Sequence, residues 1–207
     1  MTALFLLDHT SVLIFALTGA LVASRAQLDV VGFAFIACLT AVGGGTVRDV
    51  LLDRNPVFWI ANPSFIATAC AAAILIFFTA HLFESRYRLL LWLDSLALAV
   101  AVPAGVATAL AMAQPLPIVV IMGMVTGCLG GLMRDVVCNE LPLVLKQGEL
   151  YVTAAFAGSL AAVAVSLITR QEIFILIACA GVTWALRAGS LAFGWRLPVY
   201  RSRPPRA

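Results

Sequence analysis

The sequence predicts an all-α membrane protein: seven transmembrane helices, arranged as two inverted three-helix repeats plus a seventh helix. Three observations lead there: a composition too apolar for a water-soluble domain, seven segments of spanning length, and an internal repeat holding an odd number of segments. Of 207 residues, 63% are hydrophobic and 11% charged, against about 25% charged in a typical soluble domain. The mean hydropathy is +1.06. Crossing ~30 Å of hydrocarbon takes about 20 apolar residues, and such stretches run over 9–24, 30–52, 62–82, 89–111, 115–138, 149–168 and 172–192. They use most of the chain, so one membrane domain is expected over 1–207. Repeat 1 covers about 5–86, repeat 2 about 89–170, helix 7 about 172–192, and a basic tail 193–207.

Segment 1 has no Lys or Arg before it and no small-residue cleavage site after it, so it is expected to be retained rather than removed as a signal peptide. Asp8 and Asp94 open segments 1 and 4, where a carboxylate caps a helix and suits its dipole. Segments 2 and 5 carry glycine runs and are stopped by Pro56 and Pro142, which lack the amide donor a helix needs. Pro103 and Gly105 interrupt segment 4, whereas segment 1 has Gly19 without a matching proline. His9 and His81 sit at segment ends and read as interfacial residues. Ala107, Ala109 and Ala111 offer small side chains for close packing against a neighbouring copy.

The five cysteines (Cys38, Cys70, Cys128, Cys138, Cys179) lie in apolar segments without metal-ligand spacing, and read as small packing residues. Lys and Arg concentrate in alternate loops. With the N-terminus outside, the cytoplasmic side holds Arg25, Arg86, Arg88 and Lys146 and the tail residues Arg196, Arg201, Arg203 and Arg206, while the outer loops hold Arg54 and Arg170. The net charge of +3 is then mostly a cytoplasmic collar facing anionic lipid, rather than a nucleic-acid surface.

Shifting the chain by 86 residues without a gap lays Asp8 on Asp94, Gly19 on Gly105, Thr40 on Thr126, Gly44-Gly45 on Gly130-Gly131, Arg48-Asp49-Val50 on Arg134-Asp135-Val136, and Pro56 on Pro142. Three crossings per copy require the second copy to enter the membrane from the other side. Inverted repeats place their functional centre near the midplane, on discontinuous helices. The expected breaks are Gly43, Gly44 and Gly45 in helix 2, and the run from Gly127 through Gly130 and Gly131 in helix 5. A glycine costs a helix interior about 1 kcal/mol relative to alanine, and a broken helix is tolerated in lipid only where its freed backbone groups are buried or line a watery cavity. Close helix packing is the alternative use of such glycines.

Arg48, Asp49, Arg134 and Asp135 follow these runs, and charges inside a membrane usually face the bundle interior. Neighbours at i and i+1 point apart on a helix, so each is expected to pair elsewhere. The inverted two-fold suggests pairs crossing between repeats, Arg48 with Asp135 and Arg134 with Asp49, or else Arg48 with Asp94 and Arg134 with Asp8. Interfacial arginines that snorkel are the other reading.

"GGGTVRDVLLDRNPVFW", "GGLMRDVVCNELPLVL" and "LDHTSVLIFALTGALVA" resemble the prokaryotic branch of the trimeric intracellular cation (TRIC) channels, a family also filed as uncharacterised inner-membrane proteins or glycine transporters. The resemblance spans about residues 5–190. It implies a homotrimer with a pore in each protomer, permeant potassium and sodium ions, no cofactor, and a bacterial inner-membrane location. It also implies an ion path bounded by the two broken helices, with the family's glycine breaks on Gly43, Gly44, Gly45, Gly130 and Gly131 and its Arg-Asp pairs on Arg48-Asp49 and Arg134-Asp135; Thr46 and Gly127 are expected on the same path, flanked by the charged residues already named, with backbone carbonyls at the breaks partly replacing an ion's water. The second half departs, with "GCLGG" for "GGG" and Cys138 opposite Leu52. The basic motif of the animal members is missing from the second glycine helix, so their regulation is not carried over.

A passive cation channel is the leading functional expectation. A secondary transporter of a small solute such as glycine is the alternative, since inverted repeats also suit alternating access. An enzyme is not expected: the chain has no Ser-His-Asp cluster, H-E-x-x-H or Cys/His ligand set.

Overall fold

The computed structural model describes residues 2–82, 86–146 and 149–198. Arg201, Arg203 and Arg206 of the expected basic tail lie outside the described residues, as does the side chain of Arg86. The chain forms α1 (Thr2–Arg25), α2 (Val30–Leu51), a short α3 (Phe58–Ala61), α4 (Ser64–Thr79), α5 (Arg86–Ala111), α6 (Leu116–Val137), α7 (Val152–Ile168) and α8 (Glu172–Phe193). Single 3-10 turns follow α4 at Ala80–Leu82 and precede α7 at Leu143–Leu145. Among the described residues six helices are long and apolar enough to cross a membrane, and α7 is a shorter apolar helix of 17 residues. The protein is a multi-pass, all-helical membrane protein.

Local chemistry sets several helix ends. The Asp29 carboxylate caps α2 by accepting from the Gly32 amide at 2.7 Å, Pro115 precedes the first residue of α6, and Gly194 closes α8 at φ 69°. The stops of α2 and α6 come before the prolines expected to make them. Asp53 (φ 52°) and Asn139 (φ 54°) turn left-handed, while the amides of Arg54 and Glu140 return to the carbonyls of Asp49 and Asp135, each at 2.8 Å. Gln27 (φ 54°) and Ala113 (φ 52°) do the same after α1 and α5. Both pairs of left-handed residues are 86 positions apart, as are both ends of α2 and α6.

Two apolar cores follow. One joins α1, α2 and α4 through residues such as Phe15, Phe33, Phe65 and Ala69; the other joins α5 to α8 through Val102, Val106, Val119, Tyr151 and Cys179. The groups are sewn together where α1 packs on α5 and α2 packs on α6, and α8 packs on α5 and α7.

Several sequence expectations are corrected. Helices α2 and α6 run without interruption through Gly43–Gly45 and Gly127–Gly131, because the glycines sit in interhelical contacts that offset their low helix propensity. In a continuous helix each interior carbonyl accepts from the amide four residues on, so carbonyls freed as ion ligands are not found at these glycines. Helix α5 likewise continues through Pro103 to Ala111, held by packing that buries residues 101–109. Apolar Leu4, Phe5, Leu6 and Leu7 extend α1 upstream of Asp8, and Asp94 lies eight residues inside α5, so neither aspartate is a cap. Ala107 and Ala109 are buried within the protomer, leaving Ala111 exposed among the three alanines expected to face a neighbour.

A left-handed alanine costs on the order of 1 kcal/mol relative to a residue without Cβ. Ala113→Gly is therefore expected to raise the melting temperature in detergent; an unchanged or lowered value would show that the turn carries no such strain.

Candidate functional site

The centre is built from two arginine clusters and the helix crossing between them. In the first, Arg48 on α2 donates from Nε to Asp49 Oδ1 at 2.8 Å and from Nη1 to Asp8 Oδ1 of α1 at 3.0 Å. Asp49 also accepts the Phe58 amide at 2.9 Å, lies 3.5 Å from Arg54 Nη1, and the Phe58 ring stands 5.4 Å from the Arg48 guanidinium carbon. In the second, Arg134 on α6 donates to Asp135 at 2.8 Å and to Asp94 of α5 at 3.0 Å, and Asp135 accepts the Leu143 amide at 2.9 Å. Both arginine side chains are fully buried. Burying a charge is tolerable only with such partners, and each guanidinium keeps one nitrogen, Nη2, without a hydrogen-bond partner among the described residues.

The aspartates of Arg48 and Arg134 therefore come from within each half, not from the other half as expected. Asp8 and Asp94 reach their arginines because α1 packs on α2 and α5 on α6 in equivalent ways. The adjacent aspartates also pair with their arginines, because a long guanidinium stem folds back over the next residue despite the angular offset. Full burial excludes snorkelling for Arg48 and Arg134. The second cluster also reaches across to the first half: Thr18 Oγ1 of α1 accepts from Arg134 Nη1 at 2.9 Å, where the position equivalent to Thr18 holds Ala104.

Between the clusters, α2 and α6 cross at their glycines. A Cβ on Gly44 would collide with the Thr126 carbonyl, and one on Gly130 with the Thr40 carbonyl. The same logic brings α1 to α2, where a Cβ on Gly19 would stand 2.7 Å from Thr40 Oγ1, and α5 to α6, where Gly105 faces Met122 and Thr126. Gly43 faces Met133, Gly45 the Phe58 ring, and Gly127 Val102 and Leu98. The Thr40 and Thr126 hydroxyls donate back to the carbonyls four residues earlier. Thr46 does so as well and accepts from Trp59 Nε1 at 2.9 Å.

Two cavities end on the clusters. One, of ≈ 500 Å³, is lined by Phe5, Asp8, Arg54, Phe58 and Asn62 among others. The other, of ≈ 330 Å³, is lined by Arg25, Tyr87, Asp135, Glu140, Leu143 and Lys146 among others. Asp8 and Arg25 are 17 residues apart on α1, about 25 Å along the axis, so the cavities open toward opposite ends of the bundle. Arg54 and Glu140 occupy equivalent positions in them, with opposite charge. In the second cavity Arg25 meets Glu140 at 3.2 Å, and both Arg25 and Lys146 lie over the Tyr87 ring.

Sequence reasoning missed Arg187. It is buried in α8, pairs with Glu149 at 2.8 Å and stacks on Tyr151; an arginine inside an apolar segment was the available signal. His9 donates to or accepts from Ser64 Oγ at 3.0 Å and lies tilted against the Phe65 ring, while His81 is exposed.

Fold and site together define a multi-pass helical membrane protein with a charged, buried centre reached by a cavity from either end. The family model described as Glycine transporter matches residues 5–81 and again 91–167, and the chain belongs to that family. It is 34% identical, over 95% of its length and 82% of the relative's, to a UPF0126 membrane protein of Vibrio cholerae. It is 36% identical to the UPF0126 inner membrane protein YadS of Escherichia coli K12, over 74% of each. A solved structure of the TRIC trimeric intracellular cation channel orthologue from Rhodobacter sphaeroides matches with a TM-score of 0.90 at 39% identity, covering 94% of this chain and 100% of the other. A second, described as the structural basis for conductance through TRIC cation channels, matches at 0.85 and 28%, covering 96% and 98%. The TRIC-like fold expected from the motifs is thus found.

Two outcomes test this geometry. Gly44→Ala and Gly130→Ala should each lower the melting temperature, since overpacking against a backbone carbonyl costs ~1–3 kcal/mol. Gly131→Ala, whose Cβ would meet Tyr151 Oη at 3.3 Å, should lower it less; equal losses would refute the crossing. Asp49→Ala and Asp135→Ala each remove one of the two carboxylates that a buried guanidinium holds, at a cost of up to ~3–5 kcal/mol. A melting temperature within a degree of wild type would mean that the arginines find water instead.

Proposed function

We propose that the protein is a cation channel whose protomer encloses its own path. The path runs from the Asp8 cavity, alongside the α2–α6 glycine crossing, to the Arg25 cavity. The observation that carries this reading is the pair of cavities at opposite ends of α1, each ending on a buried arginine cluster. Gly43, Gly44, Gly45, Thr46, Gly127, Gly130 and Gly131 flank the route, and the charged residues Arg48, Asp49, Arg134, Asp135, Asp8 and Asp94 bracket it. The unpartnered Nη2 atoms of Arg48 and Arg134 suit water entering it. In this reading potassium and sodium permeate and three copies assemble.

The proposed architecture is two inverted three-helix repeats, α1, α2 and α4 against α5, α6 and α7, with α7 spanning despite its length and α8 as the seventh span. The opposed cavities, whose linings correspond at Leu4 with Leu90 and at Arg54 with Glu140, support the inversion. Arg25 and Lys146 share one end, away from Arg54, which supports a cytoplasmic face there beside anionic lipid, an external N-terminus, and the inner-membrane location that the relatives' names carry.

A carrier of a small amino acid such as glycine is the second reading. Besides the family description, the first cavity offers the Asp8 carboxylate and the Arg54 guanidinium, complementary to an ammonium and a carboxylate.

Reconstitution in a planar bilayer decides between them. The channel reading expects resolvable openings whose reversal potential follows a potassium gradient, and a larger cation current for Arg54→Ala, which removes a positive charge from one mouth. Saturable uptake of labelled glycine without openings would overturn it in favour of the carrier.

A further inference from the structure

Cys38 on α2 and Cys70 on α4 face each other across two packed helices, both half-buried, with their sulfur atoms 3.8 Å apart. They stand eight and six residues inside their helices, more than one turn from either start and within spans that hold few charges. Sulfurs at this separation are in van der Waals contact, and a disulfide needs them to close to ~2.05 Å, a movement that side-chain rotation and a small helix adjustment supply.

We propose that Cys38 and Cys70 are an intramembrane dithiol that an organic hydroperoxide dissolved in the bilayer converts to a disulfide, covalently tying α2 to α4. In the first step one sulfur attacks the terminal peroxide oxygen. The O–O bond breaks, and the thiol proton passes to the departing alkoxide, leaving a sulfenic acid and an alcohol. In the second the other thiol attacks the sulfenic sulfur, the S–O bond breaks, and water leaves with the second thiol proton. The balance is two thiols plus one hydroperoxide giving one disulfide, one alcohol and one water. The resolving thiol is already in contact, so the sulfenic acid is consumed before it is oxidised further. Lipid hydroperoxides form where these sulfurs lie, whereas charged aqueous reductants do not partition there.

The link has a mechanical meaning. Helix α2 carries Gly44, Arg48 and Asp49 beyond Cys38, so fastening it to α4 restrains the helix that bears the first arginine cluster. The chemistry is independent of whether the protein is a channel or a carrier.

The test uses full-length protein in saturated phosphatidylcholine vesicles treated with cumene hydroperoxide, then denatured in detergent, alkylated, digested and read by mass spectrometry. The expected result is a peptide linking Cys38 to Cys70, two fewer alkylated cysteines, and continued alkylation of Cys128, Cys138 and Cys179. Cys38→Ala and Cys70→Ala should each abolish the linked peptide. Methionine oxidation in the same sample reports that the oxidant reached the protein. The proposal is overturned if methionine is oxidised while Cys38 and Cys70 stay fully alkylated, if they end as unlinked sulfinic acids, or if either links to a different cysteine.

Discussion

Everything in this molecule is positioned by the approach of α2 to α6. Gly44 lies under the Thr126 carbonyl and Gly130 under that of Thr40, an approach that even one methyl group would obstruct. Without a hydrophobic force between helices in lipid, packing of this closeness is a principal source of association. It fixes the height of the next helical turn on both helices, which carries Arg48 and Arg134. The glycines therefore act on the charges indirectly, by setting where two straight helices touch.

The arginine clusters then work as rivets between helices of one half. Each guanidinium joins an aspartate from the preceding long helix and its own sequence neighbour, and the neighbour's second oxygen holds the amide of the following loop, at Phe58 or Leu143. One side-chain network thus ties two long helices and the short helical turn that follows them, on either side. These networks also end the two cavities, so groups that stabilise the bundle also line its open space.

Much of this was legible in the sequence, unevenly. The 86-residue register was readable because it aligns rare residue types, and the left-handed turns at Gln27, Ala113, Asp53 and Asn139 obey it though no glycine marks them. The burial of the arginines followed from the scarcity of charge. Continuity through the glycines was hidden, since a glycine run looks the same whether it breaks a helix or lets another helix approach. Partner choice was hidden too: two-fold symmetry permits pairs within halves as well as across them, and only the packing of α1 on α2 selects Asp8. Arg187 needed Glu149, 38 positions away, which no local pattern joins to it.

The crossing of α2 and α6 is reciprocal: a residue of one half touches a residue of the other, and its equivalent returns the contact. That is the definition of an isologous interface, the kind a two-fold homodimer makes. Under the proposed inverted-repeat architecture, the polypeptide is organised as such a dimer with its two halves fused in one chain. Fusion frees each half to diverge alone, which a true homodimer forbids. Thr18 against Ala104 and Arg54 against Glu140 are such divergences, and they give the two faces of the bundle separate chemical identities on a shared scaffold.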